Sequence, residues 1–206
     1  MRKLVVCTFL TLDGVMQAPG GPDEDRDGGF EHGGWSVNYW DDTMGQFMDD
    51  QFEQFDALLL GRKTYQIFAA HWPRITDPSD PVAAKLNSVN KYVASSTLEN
   101  ADWNNSTVLR GDIAAEVAKL KDQPGAEIQV QGSWKLIQTL MRHDLVDEYR
   151  LWVFPVLLGT GKRLFADGTN PSGLRLSETK ASTTGVLVHH YESAGKVDYG
   201  SFALDQ

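Results

Sequence analysis

Short apolar runs of strand length alternate along this chain with segments in which apolar residues return every three or four positions. The first run, KLVVCTFL at 3–10, reads as a buried strand, and the Asp-Gly signal in TLDG at 11–14 ends it with a turn. DALLL at 56–60 is a second strand, NKYVASSTL at 90–98 is a third running into a Ser-Ser-Thr turn, and STVLR at 106–110 and AEIQVQ at 126–131 are the next two. VDEYRLWVFPVLLG at 146–159 is strand-like and alternates in its first half. Residues 174–180, 184–192 and 197–204 read as three terminal strands with Gly and Ser at the turns. Helical spacing appears at 41–54, where Met44, Phe47, Met48, Phe52 and Phe55 form a stripe and Asp41 or Asp42 can cap the start. RKTYQIFAAHW at 62–72 is a second helix, stopped by Pro73, and VAAKLNSV at 82–89 can form one or two turns. Asp112 caps a helix that places Ile113, Val117 and Leu120 on one face. SWKLIQTLMRH at 133–143 carries Trp134, Leu136, Ile137, Leu140 and Met141 on its apolar side.

Strands alternating with helices, followed by strands alone, predict a single α/β domain over 1–206. Its architecture is an αβα sandwich around a mixed, mostly parallel central sheet with antiparallel C-terminal strands. One segment breaks the pattern. Residues 17–34, QAPGGPDEDRDGGFEHGG, hold too little apolar surface to bury themselves and read as a long loop beside the end of the first strand.

The net charge of −9 over 206 residues argues against a nucleic-acid partner, although a local cluster of Arg and Lys can still hold an anionic small molecule. Cys7 is the single cysteine, so neither a disulfide within the chain nor a four-ligand zinc cluster is expected, and Cys7 reads as a small buried hydrophobe. No segment approaches the roughly 20 apolar residues of a membrane span, and the N-terminus lacks a signal-peptide pattern, so a cytoplasmic protein without a membrane partner is expected.

Three strand ends carry chemistry suited to a phosphate. In LLLGRKTY at 58–65 a buried strand meets Gly61, then Arg62, Lys63 and Thr64 at the start of a helix. Free N–H groups and the positive end of the helix dipole favour an anion there. Ser95, Ser96 and Thr97 end the third strand, and Gly132 and Ser133 end the fifth. In a parallel sheet all three turns fall at the carboxyl ends of strands, where ligands bind. The competing reading of each alone is an ordinary turn or helix cap with solvated cations. Other templates fail: the chain has no G-x-G-x-x-G after its first strand, no Walker spacing, no H-E-x-x-H, no H-x-E with C-x-x-C and no G-x-S-x-G. No metal site is expected.

TLDG at 11–14, LLLGRKTY at 58–65, VASSTL at 93–98, VQGSWKLIQTL at 130–140 and LVDEYRLWVFPVLLGTGKRLF at 145–165 together resemble the dihydrofolate reductase superfamily. The closer resemblance is to the reductase domain of the bifunctional riboflavin-biosynthesis deaminase–reductase, whose deaminase half is missing here. The resemblance implies a dihydrofolate-reductase-like three-layer αβα fold, NADPH as cofactor and a homodimer. Carried over, Arg62 would face the adenosine 2′-phosphate, with Ser95, Ser96 and Thr97 at that phosphate and the ribose. Lys63 and Thr64 would hold the pyrophosphate beside Gly61. Gly132 and Ser133 would let the second phosphate approach the backbone, although this chain has Gln131-Gly132 where relatives often have Gly-Gly. On the substrate side, a folate-type carboxylate would fall near Gly45, which is not acidic; Asp41, Asp42, Asp49 and Asp50 are nearby. Asp13 is the catalytic candidate, its competing role being an Asx-turn that closes the first strand. Trp35, Trp40, Phe154 and Pro155 either wall a flat heterocycle or belong to the core. Lys162 and Arg163 either bind a substrate phosphate or form only a family turn.

The expected activity is hydride transfer from NADPH to a C=N or C=O group of a small pterin-like or aminopyrimidine substrate, in the manner of a 5-amino-6-(5-phosphoribosylamino)uracil reductase. The alternative is a nucleotide-binding module that has lost catalysis and serves as a sensor or scaffold. LVDEYRLWVF is either a dimer element or an internal core strand.

Overall fold

Eight of the nine expected strands form one eight-stranded sheet in the computed structural model, which describes residues 1–77 and 79–203. The strands are β1 (Leu4–Thr11), β2 (Phe55–Gly61), β3 (Asn90–Ala94), β4 (Ser106–Leu109), β5 (Glu127–Gln131), β6 (Glu148–Phe154), β7 (Leu174–Ala181) and β8 (Leu187–Ser193). Their order across the sheet is β4-β3-β2-β5-β1-β6-β8-β7. The first six run parallel, with Leu4 opposite Ile128 and Val6 opposite Tyr149, and β8 returns antiparallel on β6. Strands buried on both faces need continuous apolar runs, which is why LVVCTFL and DALLL show little alternation.

Five helices cover the sheet: α1 (Asp42–Glu53), α2 (Arg62–His71), α3 (Pro81–Ser88), α4 (Ile113–Asp122) and α5 (Trp134–Arg142). Val117 and Leu120 of α4 and Ile137 and Leu140 of α5 pack on Leu4, Val6 and Val130 on one face. On the other face Phe52 of α1, Tyr65 of α2 and Leu86 of α3 pack on Leu58, Leu60 and Val93, and Met44 packs on Trp152 and Phe154. The layers are therefore αβα, as expected.

Helix starts divide into two kinds. Asp41, Asp80 and Asp112 cap α1, α3 and α4 by accepting N–H bonds from Met44 at 2.7 Å, Ala83 at 2.9 Å and Ala115 at 3.1 Å. The residues before α2 and α5, Gly61 and Ser133, make no such side-chain bond. First-turn amides there are left for another partner.

Two expectations are corrected and one open pair of alternatives is resolved. The third strand runs into the expected Ser-Ser-Thr turn, stopping at Ala94 where the Ser95 hydroxyl accepts bonds from the amides of Thr97 and Leu98. The strand-like run from 146 yields β6 only to Phe154, since Pro155 has no N–H for the ladder. No strand forms over 197–203, where Asp198 and Gly200 interrupt a short alternating run and Tyr199 and Phe202 are exposed; Leu204 lies outside the described residues. Finally, LVDEYRLWVF supplies an interior strand rather than a free interface, because β6 is paired on both sides, by β1 and by β8. Among the described residues no helix is long and apolar enough to cross a membrane.

Candidate active site

A cavity of about 1290 Å³ opens at the carboxyl ends of β1, β2, β3 and β5. Its size exceeds the ~300–1,000 Å³ of a usual small-molecule pocket, which leaves room for two ligands side by side. All three phosphate-suited turns reach it. Gly61, Arg62, Lys63 and Thr64 line it from β2 and α2; Ser95, Ser96 and Thr97 from β3; Gly132 and Ser133 from β5.

The turn after β5 shows how the backbone makes this end of the cavity. Gly132 and Ser133 both adopt left-handed conformations, with φ of 57° and 69°. A Cβ on Gly132 would stand 3.3 Å from Thr64, so a side chain would close the gap between the two turns. The Ser133 hydroxyl accepts the Gly61 N–H at 2.8 Å, locking the end of β5 to the end of β2. Across the cavity the Arg62 guanidinium donates to the Thr97 hydroxyl at 2.8 Å, joining the β2 and β3 turns. Lys135, exposed in the first turn of α5, adds a cation to this end.

The acidic loop crosses the other side. Lys63 meets Asp25 at 2.6 Å and Asp27 at 2.9 Å, and Lys162 meets the same two carboxylates at 2.6 and 2.7 Å. Two lysines and two aspartates thus form a closed, neutral square. Gln17 secures it, donating to the carbonyls of Asp25 and Asp27 and accepting the Lys162 N–H. Burial alone would raise Asp25, but Lys162 and Lys63 outweigh it and hold the carboxyl below its ordinary range. Asp27, bonded to Lys162 and then Lys63, falls to about 2. Glu24, also on the cavity wall, is raised by burial despite accepting the Gly20 N–H at 2.6 Å.

Beyond the square the walls become aromatic. Phe9, Trp40 and Trp152 stand with ring centroids 5.6 to 5.9 Å apart. Trp152 lines the cavity, and its indole N–H donates to the Gln51 side chain at 3.2 Å. Gly45, Met48, Asp49 and Phe52 of α1 line this end. Of these, Asp49 is exposed. Burial pushes the Cys7 thiol upward, so at neutral pH it lines the cavity as a small apolar group. The described residues hold no group of three or more His, Cys, Asp or Glu able to bind a metal ion.

The family model described as RibD C-terminal domain matches residues 2–189. The chain belongs to that family. Within reach of it lies YyaP of Bacillus subtilis (strain 168), 33% identical over 194 residues, 92% of this chain and 95% of that one. Solved structures share the RibD C-terminal fold at lower identity. The diaminohydroxyphosphoribosylaminopyrimidine deaminase/5-amino-6-(5-phosphoribosylamino)uracil reductase of Thermotoga maritima matches at a TM-score of 0.60 and 14% identity, over 94% of this chain and 57% of that one. Dihydrofolate reductase of Enterococcus faecalis, solved with NADP(H), matches at 0.56 and 13%, over 95% and 97% of the two chains. The fold is therefore the dihydrofolate-reductase-like one expected.

Of the catalytic and substrate-side candidates of this RibD C-terminal domain, Trp40 and Lys162 line the cavity, as do Gly45 and Asp49 of α1, while Asp13, Trp35, Phe154, Pro155 and Arg163 do not. Asp13 is a latch. Its carboxylate accepts the Thr11 hydroxyl at 2.6 Å and the N–H groups of Leu158 and Gly159 at 3.2 and 2.7 Å, fastening the 155–165 loop to the end of β1. Burial works to raise it, but these donors leave it below its ordinary value. Trp35 packs edge-on against Phe154, and its indole N–H goes to the Gln17 carbonyl. Phe154 is fully buried in the core, and Pro155 ends the strand behind it. Arg163 donates to the carbonyls of Asp13 and Gly159. Lys162 reaches the cavity, but its charge is spent on Asp25 and Asp27. Sequence reading missed Phe9, Trp152 and Gln51; Asp49 carries a readable signal, the helical spacing it shares with Gly45, Met48 and Phe52.

Proposed function

We propose that this protein is an NADPH-dependent reductase acting on a C=N or C=O group of a small flat heterocycle of the pterin or aminopyrimidine kind. The observation that carries the reading is the convergence of the β2, β3 and β5 turns on one cavity. Their chemistry suits a dinucleotide phosphate. Arg62 with Ser95, Ser96 and Thr97 offers a charged fork and hydroxyls for a terminal 2′-phosphate. The uncapped first turns of α2 and α5, with Thr64 and the left-handed Gly132 between them, suit a pyrophosphate pressed against backbone. Lys135 adds charge. NADPH, when bound, supplies the hydride. The chain's own residues then position and exclude: Phe9, Trp40 and Trp152 cover a flat ring and keep water from it, and Asp49 takes an N–H of that ring. Asp13, held in its latch, is not part of this reaction, and the proton comes from water. The unpaired edge of β7, with Leu176 half exposed, supports a homodimer.

The test is equilibrium titration with NADPH followed by the decay of its absorbance in the presence of dihydropterins and aminopyrimidines. Binding with turnover of at least one ring is expected. Failure to bind NADPH contradicts the reading, and tight binding without turnover on any ring favours a nucleotide-binding module.

A further inference from the structure

We infer that the substrate is an unphosphorylated flat ring carrying an apolar arm. The inference rests on the reductase reading and narrows it. Among the described residues four cations line the cavity: Arg62, Lys63, Lys135 and Lys162. Arg62 and Lys135 stand beside the β2 and β5 turns, at the cofactor end. Lys63 and Lys162 are both closed into the square with Asp25 and Asp27. No cation is left for a second phosphate.

The space next to the aromatic wall argues the same way. The same cavity is lined from α1, α2, α3 and the turn after α2 by Phe52, Ile67, Phe68, Trp72, Val82 and Leu86. Phe52 and Leu86 are buried and the other four are partly covered, so this wall is apolar. The charged residues that α1 and α3 add to the lining, Asp49 and Asp80, are anions. A phosphoribosyl arm laid here would lose its water without gaining a cation or a hydroxyl partner, which is costly for an ionised group. An aryl or alkyl arm would exchange water for carbon at every wall. Asp49, exposed on α1 at this end of the cavity, suits a ring that presents an N–H or a positive charge.

Three probes separate the outcomes: 2,4-diaminopyrimidine, the same ring with a benzyl arm, and the same ring with a ribose 5-phosphate arm. Each is titrated into NADPH-saturated protein and followed by tryptophan fluorescence, which Trp40 and Trp152 report. The benzyl probe is expected to bind at least tenfold more tightly than the other two. Ile67→Asn should erase that preference while NADPH affinity stays unchanged. Asp25→Asn with Asp27→Asn, which opens the square, should tighten the phosphorylated probe about tenfold. Equal or tighter binding of the phosphorylated probe by the unaltered protein, or binding of none of the three, overturns the inference while NADPH binding stands. Loss of NADPH binding itself overturns the reductase reading instead.

Discussion

The two ends of the cavity are built in opposite ways. At the proposed cofactor end two helix starts are left without a side-chain cap, and among the described residues Arg62 meets no carboxylate, its guanidinium donating only to the Thr97 hydroxyl. At the proposed substrate end charges are paired. Every cation there is matched by an aspartate, the Trp152 N–H is given to Gln51, and aromatic and aliphatic carbon makes the walls. Sites that bind charge are prepared by withholding internal partners, and sites that bind a neutral ring by satisfying them. The contrast recurs in the helices, since the three starts capped by aspartate are α1, α3 and α4, and the two left open are those at the cofactor turns.

The contrast breaks most forcefully at Trp152, which is both wall and core at 1% exposure. Trp152→Ala should cost about 3–5 kcal/mol of stability, read from urea unfolding, because it leaves a cavity between α1 and the sheet. A loss under 1 kcal/mol would mean that the aromatic end is not part of the core. Next in size is Gly132→Val, which places carbon against Thr64 in a left-handed turn. NADPH affinity should fall about a hundredfold, ~2.7 kcal/mol, with substrate-ring affinity nearly unchanged. Equal losses for both ligands would deny that the two ends are separate.

Why one end was readable from sequence and the other was not follows from this construction. The cofactor turns are short contiguous motifs, each fixed by its own strand end: LGRKT, SST and GS. Local residues decide them, so the sequence displays them. The substrate end is assembled by long-range pairing. Phe9 and Trp152 meet because they are opposite in the β1–β6 register, and Asp25 meets Lys63 and Lys162 only after the chain has folded. Lys162 lines the cavity, but its pairing with Asp25 and Asp27 could not be read from the sequence. Asp13 illustrates the same limit: the Val15 N–H goes to the Thr11 hydroxyl rather than closing an Asx-turn, and the partners Leu158 and Gly159 lie far along the chain. The sheet itself was legible because buried parallel strands need unbroken apolar runs. The 197–204 segment misled because alternation over so few residues does not specify a strand.

A smaller effect probes the square. Asp25 and Asp27 are both held below the ordinary carboxylate range, Asp27 at about 2. For a depressed carboxylate the stabilisation is present above the unfolded value, roughly 4, and is lost as pH falls through the folded one. The 17–34 loop should therefore resist pepsin at pH 4 and be cut readily near pH 2, whereas Asp25→Asn with Asp27→Asn should be cut equally at both. Pepsin resistance that persists at pH 2 would show that the square does not hold the loop.

The smallest effect concerns a lysine that meets no anion among the described residues. Lys91 is fully buried, donates to the Val89 carbonyl at 2.7 Å and lies 4.4 Å from the Trp103 ring centroid. Burial lowers it to about 8. Its folded value lies below its unfolded one, so the unfolded chain holds more protons between them and stability rises with pH across that interval. Lys91→Met should be more stable at pH 7 by on the order of 1 kcal/mol and should lose that rise, read from urea midpoints at pH 7 and 9.5. A destabilised variant would mean that the bond to Val89 and the contact with Trp103 outweigh the burial of charge.

The most direct measurement is the equilibrium affinity for NADPH against NADH, in the unaltered protein and in Arg62→Ala. The two cofactors differ only in the 2′-phosphate that Arg62 and the serines are proposed to read. NADPH should bind more tightly by at least tenfold, in line with ~1.5–3 kcal/mol for each charge-assisted hydrogen bond, and Arg62→Ala should remove most of that margin while leaving NADH unaffected. Equal affinities in the unaltered protein would contradict the account.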